Sequence, residues 1–118
     1  MDAIEVLVDV SGTTKFPVKV YHTSADDRGW VEGNIVVQNE DYQWLSGYSF
    51  SAKVYDTPSR YGINNGRISK LYVRDVSTIT EVIGYDRGWY CEPQHPQEKA
   101  VLGALLTIFD IPSEWNPL

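Results

Sequence analysis

Cysteine and histidine, which bind zinc and take part in nucleophilic catalysis, are few in this chain. Cys91 and His95 are four residues apart, and His22 is the other histidine. A structural zinc site needs four ligands, so this set predicts no metal centre. Nucleophilic catalysis needs a cysteine or serine beside a histidine that a third group holds, and nothing in the sequence places His22 near such a residue. The Gly-Lys-Ser/Thr phosphate loop, the Gly-x-Ser-x-Gly elbow and the His-Glu-x-x-His helix are missing. We therefore expect no cofactor and no catalytic residue, and we favour a binding protein over an enzyme.

The residues best suited to recognition lie in the polar segment 56–67. Four of them combine planar hydrogen-bond donors with an aromatic ring: Arg60, Tyr61, Asn64 and Arg67. Such a set suits an acidic or planar partner group. Turn chemistry also explains the segment, because Pro58-Ser59 starts a turn and Asn65-Gly66 is typical of a hairpin. The sequence leaves both interpretations open.

A four-residue motif, Asp-Arg-Gly-Trp, occurs at 27–30 and again at 86–89. A turn explains it, with Asp capping its own backbone, Gly at positive φ and Trp anchoring the next strand. If both turns lie beside segment 56–67, they add four residues to the candidate site: Arg28, Trp30, Arg87 and Trp89. The arginines would then face an anion while a tryptophan or Tyr61 stacks on a ring, as in a small-molecule or nucleotide site.

Hydrophobic periodicity predicts the elements that must position these residues. Apolar side chains on every second residue indicate about six strands. These lie at about 4–10, 16–21, 29–38, 48–55, 67–74 and 78–85. After Pro96 the period becomes helical as far as Phe109, with Glu98 in the first turn and Pro112 beyond the end. The prediction is an α+β fold in which an antiparallel sheet packs against one C-terminal helix. Apolar residues nearly surround that helix, so we expect the tail 111–118 or a second subunit to cover it as well.

Length and composition indicate one domain spanning residues 1–118, with one cysteine and no internal disulfide. The amino terminus carries Asp2 where a secretory signal would be basic, and no apolar run is long enough to cross a bilayer. We therefore expect a cytoplasmic protein with no membrane partner. Its net charge of −6 repels phosphate backbones and argues against general nucleic-acid binding.

Four tryptophans and eight tyrosines are more than one small core readily hides. Because Trp, Tyr and Arg dominate interface energetics, the leading hypothesis is binding to another protein or to a second copy of this chain, as a homodimer joined through sheet edges. The small-molecule or nucleotide site described above is the first alternative. An enzyme of unrecognised type is the second.

The segment from about Trp44 to Glu92 resembles a family of small uncharacterised proteins of bacteria and their phages. The resemblance rests on Lys-Val-Tyr-Asp from 53, Pro58-Ser59, Tyr-Gly-Ile from 61, Gly-Arg-Ile-Ser-Lys-Leu from 66, and Tyr-Asp-Arg-Gly-Trp from 85. It implies a bacterial or phage setting and a sheet-plus-helix fold, and it assigns no catalytic residue. For a phage-borne member, the expected role is an accessory protein or an inhibitor of a host-defence complex. Residues 1–27 lie outside the resemblance.

Overall fold

The computed structural model describes residues 3–12 and 14–110, with backbone only at residues 23 and 24. The described residues form seven strands, one 3₁₀ turn and one helix. The elements are β1 (Ala3–Val10), β2 (Thr14–Ala25), β3 (Trp30–Gln38), β4 (Trp44–Val54), the 3₁₀ turn (Ile63–Asn65), β5 (Ile68–Asp75), β6 (Thr80–Asp86), β7 (Trp89–Cys91) and α1 (Pro96–Phe109).

Every strand pairs antiparallel with the next one in the chain, in the order β1 to β7. The predicted α+β class with one C-terminal helix is confirmed, with seven strands in place of about six. The extra strand, β7, has three residues and is too short to show a period of two. Strand β4 begins at Trp44, four residues before the predicted start, where a register shift beside Gln38 interrupts the alternation.

The core lies between one face of the sheet, here called the inner face, and α1. Alternate strand residues point to this face, as the period of two predicts. The buried inner-face residues of β2 to β6 include Val18, Val20, Ile35, Val37, Phe50, Ala52, Leu71, Val73 and Ile83. The helix contacts β1, β2, β3 and β6. A Cβ atom at Gly103 would lie 2.8 Å from Cγ1 of Val8, so a larger residue would displace that side chain where the helix meets β1.

The helix begins and ends where the sequence predicts, at Pro96 and Phe109. At its start, Oε1 of Glu98 accepts hydrogen bonds from the backbone N–H groups of Gln94 (2.8 Å) and His95 (3.1 Å). These bonds satisfy donors that have no partner within the helix.

Residues 111–118, which we expected to cover the helix, lie outside the described part of the chain. Across that described part, no helix is both long and apolar enough to span a bilayer.

Hydrogen bonds accepted by Asp110 link the end of α1 to the start of β5. Oδ1 of Asp110 accepts hydrogen bonds from the backbone N–H groups of Arg67 (2.6 Å) and Ile68 (3.4 Å). A side chain at Gly66 would collide with this carboxylate. The helix terminus therefore holds one end of the loop that carries four of the eight predicted binding residues.

Candidate binding site

The three connections that carry the predicted binding residues lie at one end of the sheet. In an antiparallel sheet whose strands follow chain order, every second connection falls at the same end. The β2–β3 turn, the β4–β5 loop (55–67) and the β6–β7 turn therefore share an end, with the loop between the two turns. The sequence alone did not determine this placement.

The first Asp-Arg-Gly-Trp turn packs against the end of β4. Oδ1 of Asp26 accepts hydrogen bonds from the backbone N–H groups of Arg28 (2.9 Å) and Trp30 (3.0 Å). The bond from Trp30 is the main cause of a lowered pKa at Asp26. The capping aspartate is therefore the residue before the motif, which corrects the sequence prediction. Gly29 has φ 93° as predicted, and its carbonyl accepts a bond from Val54 N–H (2.8 Å).

The second turn has a different conformation although its four residues are identical. Arg87 occupies the left-handed region with φ 57°, and Gly88 does not, so the predicted role of the glycine is wrong here. The Arg87 N–H donates to the carbonyl of Ser69 (3.0 Å), and the Asp86 N–H donates to the carbonyl of Gly88 (3.0 Å). This backbone places the Arg87 side chain beside the β4–β5 loop.

Two guanidinium groups meet at one exposed aromatic ring in that loop. The guanidinium carbons of Arg60 and Arg87 lie 4.9 Å and 5.7 Å from the ring centroid of Tyr61. Nη2 of Arg60 also donates a hydrogen bond to the Tyr61 hydroxyl (2.8 Å). The Tyr61 residue is 44% exposed. Neither guanidinium forms an ion pair with any carboxylate of residues 3–12 and 14–110.

The surroundings of Tyr61 hold it in place. The hydroxyl of Tyr85, a buried residue, donates to the Tyr61 carbonyl (2.9 Å). The Tyr85 ring packs edge-to-face on Trp89 at 5.1 Å between centroids, and Trp89 is 37% exposed. Four of the predicted binding residues thus form one surface, which we call the Tyr61 patch: Arg60, Tyr61, Arg87 and Trp89.

The guanidinium of Arg87 also affects the ionisation of Tyr55, the first residue of the β4–β5 loop. The pKa of the Tyr55 phenol is lowered, mainly by the neighbouring Ser69 hydroxyl and to a smaller extent by the Arg87 guanidinium. The Arg87 guanidinium thus acts on Tyr55 as well as on Tyr61.

The other four predicted binding residues lie elsewhere. Arg67 is partly buried, and its Nε donates to the Tyr55 carbonyl (2.6 Å) inside the loop. Asn64 has φ 55° and shapes the backbone of the 3₁₀ turn. No hydrogen bond, ion pair or ring contact links Arg28 or Trp30 to the Tyr61 patch within the part of the chain that the structure describes.

The loop is more than the hairpin tip that Asn65-Gly66 predicts. Strand β4 ends at Val54 and β5 begins at Ile68, so the turn pair does not join the strands directly. Instead Ile63, 1% exposed, enters the core. The Asn65 residue itself is left-handed, with φ 59°.

A second surface, which the sequence analysis did not identify, lies on the face of the sheet opposite α1. It is a groove of about 360 Å³, which we call the outer groove. The groove is lined by Glu32, Gly33, Asn34, Ser49, Phe50, Ser51, Tyr72, Val73, Arg74 and Glu81. These polar residues occupy outward-facing positions of the predicted strands. The sequence does not show that they are neighbours, because that depends on strand order and register.

Aromatic side chains border this groove. Trp30 stacks on Tyr72 with 6.3 Å between centroids, and Nζ of Lys53 lies 5.6 Å from the Trp30 ring centroid. Tyr90 lies directly over Gly84, where any Cβ would collide with its ring. Desolvation, together with the nearby Glu81 carboxylate, raises the pKa of Tyr90 to about 12. The Tyr90 hydroxyl therefore remains a neutral hydrogen-bond donor at physiological pH.

The potential metal ligands and nucleophile do not form a site. His22 packs edge-to-face on Phe109, His95 precedes α1, and Sγ of Cys91 lies 3.8 Å from the Glu81 carbonyl oxygen. Among the described residues, no three His, Cys, Asp or Glu side chains are grouped so as to hold a metal ion.

A family model for a domain of unknown function, DUF7678, matches residues 29–110. The chain belongs to the DUF7678 family. No curated protein and no solved structure matches it. The DUF7678 match begins in the first Asp-Arg-Gly-Trp turn and ends at Asp110, so it contains the whole Tyr61 patch and the whole outer groove. Strands β1 and β2 precede it.

Proposed function

We propose that this protein is a non-enzymatic binding protein of bacterial or phage type, which recognises an acidic segment of a protein partner through the Tyr61 patch. The observation that carries the proposal is the pair of guanidiniums, from Arg60 and Arg87, over the exposed ring of Tyr61. Two like charges near one ring repel each other, so a carboxylate placed between them is favoured. The planar guanidinium fork matches a carboxylate in geometry as well as in charge.

The composition of the patch favours a protein surface as the partner. Arg, Tyr and Trp are the residues that most often contribute large binding energies at protein interfaces. Tyr61 and Trp89 supply rigid contact area, and both are held by Tyr85 before any partner binds. A preorganised patch loses little side-chain entropy on binding. The family resemblance implies a bacterial or phage setting, so a host-defence complex is the first partner to test for a phage-borne chain.

Replacing both guanidiniums should remove binding without removing the fold. We expect panning of a displayed random-peptide library to enrich peptides rich in Asp and Glu, and the double variant Arg60→Gln/Arg87→Gln to bind them roughly 30-fold more weakly, about 2 kcal/mol. The melting temperature should change little, because both side chains are exposed. Lys15→Gln/Lys99→Gln is the matched control, since it removes the same charge from exposed positions away from the patch.

Two results would contradict the proposal. Enriched peptides without acidic residues, or equal affinity for the double variant and the control, would show that the patch does not select carboxylates. A melting temperature that rises to saturation with a nucleotide such as ATP, and only when Arg60 and Arg87 are present, would instead support the small-molecule alternative.

Self-association is a second candidate function, supported by the free edge of the sheet. Strand β1 has eight residues and pairs only with β2 among the described strands. It exposes Ile4 (47%) and Leu7 (59%), one on each face. An exposed edge with apolar side chains is a template for pairing with another chain.

If two copies pair through β1, sedimentation velocity should show a concentration-dependent dimer. Leu7→Lys should shift the population to monomer, because a charge on an edge strand opposes pairing. Lys19→Leu on β2 serves as a comparison, since it changes a partly buried position away from the edge. A chain that stays monomeric at millimolar concentration would contradict this candidate.

A further inference from the structure

The shape of the outer groove follows from the sizes of side chains that face each other across the strands. Asn34 on β3 lies opposite Ser49 on β4, which lies opposite Arg74 on β5. In the neighbouring row, Ser51 on β4 lies opposite Tyr72 on β5. Side chains opposed in this way have Cβ atoms about 5 Å apart. Asn34 and the two serines of β4 therefore form a floor, and the larger residues on β5 form a wall.

The floor presents hydrogen-bonding groups that the protein does not use. The side chains of Asn34, Ser49 and Ser51 make no hydrogen bond to any of the residues that the structure describes. The amide offers two donors and an acceptor, and each hydroxyl offers one donor and an acceptor. Because all three stand on paired strands, their spacing is set by the sheet and not by a loop. These groups are suited to a ligand rich in hydroxyl groups.

Charges of both signs line the groove, so an ion of either sign meets repulsion as well as attraction there. Glu32 and Glu81 oppose an anion, and Arg74 opposes a cation. The ring of Trp30, which could bind a cation, already has the ammonium of Lys53 beside it. The lining thus selects a neutral, polar ligand.

The aromatic side chains at the border of the groove favour a sugar among neutral, polar ligands. A sugar ring has an apolar C–H face that packs on an aromatic ring, and hydroxyl groups around its edge. Tyr72, backed by the stacked Trp30, lies at the groove, and Tyr90 lies on the adjacent Gly84. Ligand pockets usually span about 300–1,000 Å³, and the groove, at about 360 Å³, is at the small end of that range.

We infer that the outer groove is a binding site for a neutral saccharide of one or two rings. Asn34, Ser49 and Ser51 bind its hydroxyl groups, and Tyr72 packs against its ring. This site lies on a different surface from the Tyr61 patch and does not depend on the function proposed there.

The test is a titration of the isotope-labelled protein, followed by the NMR shifts of its backbone amides. The probes are glucose, galactose, mannose, N-acetylglucosamine, maltose and cellobiose, with citrate and spermidine as ionic comparisons. At least one neutral sugar should give saturable shifts confined to β3, β4, β5 and β6. Asn34→Ala/Ser49→Ala should weaken that binding by about tenfold or more, as expected for the loss of two hydrogen bonds.

Two control variants show whether the sugar binds at the outer groove. Thr107→Ala removes a hydroxyl from the exposed side of α1 and should leave sugar binding unchanged. Arg60→Gln/Arg87→Gln should also leave it unchanged, so a failure of the Tyr61 patch would not affect this result. The inference is overturned if no sugar in the panel gives saturable shifts, if citrate or spermidine occupies the groove instead, or if Asn34→Ala/Ser49→Ala binds as well as the unmodified chain.

Discussion

Leu105→Asp is expected to prevent folding. Leu105 is fully buried on the face of α1 that packs against the sheet. The substitution removes apolar contacts worth about 2–5 kcal/mol and places a carboxylate without a partner in the core, at a further cost of several kcal/mol. Small domains are stable by only about 5–15 kcal/mol, so the two effects together are enough to unfold this one.

Circular dichroism with chemical denaturation measures this directly. The variant should show no cooperative transition, or should accumulate as insoluble protein. Two substitutions on the same helix serve as controls: Lys99→Asp, at an exposed position, should fold normally, and Leu102→Asp, at a partly buried one, should fold with reduced stability. A soluble Leu105→Asp protein with an ordinary unfolding transition would contradict the packing of α1 against the sheet.

Ile63→Ala is expected to lower the free energy of unfolding by about 2–5 kcal/mol. Ile63 is 1% exposed and belongs to the same buried cluster as the strand residues, although it lies in the β4–β5 loop. Its truncation leaves a cavity beneath the loop. Urea denaturation of the variant and the unmodified chain gives the difference.

The matched control is the neighbouring Asn64→Gly. Asn64 is exposed with φ 55°, a conformation that glycine adopts without strain, so its substitution should cost less than about 1 kcal/mol. If Ile63→Ala costs no more than Asn64→Gly, the loop is a hairpin tip that contributes little to the core. In the folded chain, Ile63 also fixes the base from which Arg60 and Tyr61 project, so folded Ile63→Ala protein should bind acidic peptides more weakly.

The two candidate surfaces are separated by the sheet itself. The Tyr61 patch is built on connections at one end of the strands, whereas the outer groove is built on side chains within β3, β4 and β5. Variants of one surface are therefore suitable controls for the other. Trp30, expected from the sequence beside Tyr61, lies on the outer face against Tyr72.

The features that could be predicted from the amino-acid sequence are those with local causes. Alternating apolar residues predicted β5, and two of them, Leu71 and Val73, are buried in the core. The bounds of α1 were predicted from a change of period at Pro96, with Glu98 favouring the first turn. Such signals act between residues a few positions apart, so they can be recognised without knowing the fold. β7 was missed because three residues carry no period.

Contacts between distant segments decided the rest, and the two Asp-Arg-Gly-Trp turns demonstrate this. In the first, the approach of Val54 to the backbone requires a glycine in the left-handed region. In the second, the carbonyl of Ser69 binds the N–H of Arg87, and the arginine becomes the left-handed residue. Identical residues therefore form different turns, because the neighbouring strand supplies the hydrogen bond that selects each conformation. That selection places Arg87 over Tyr61, and only the tertiary structure could decide it.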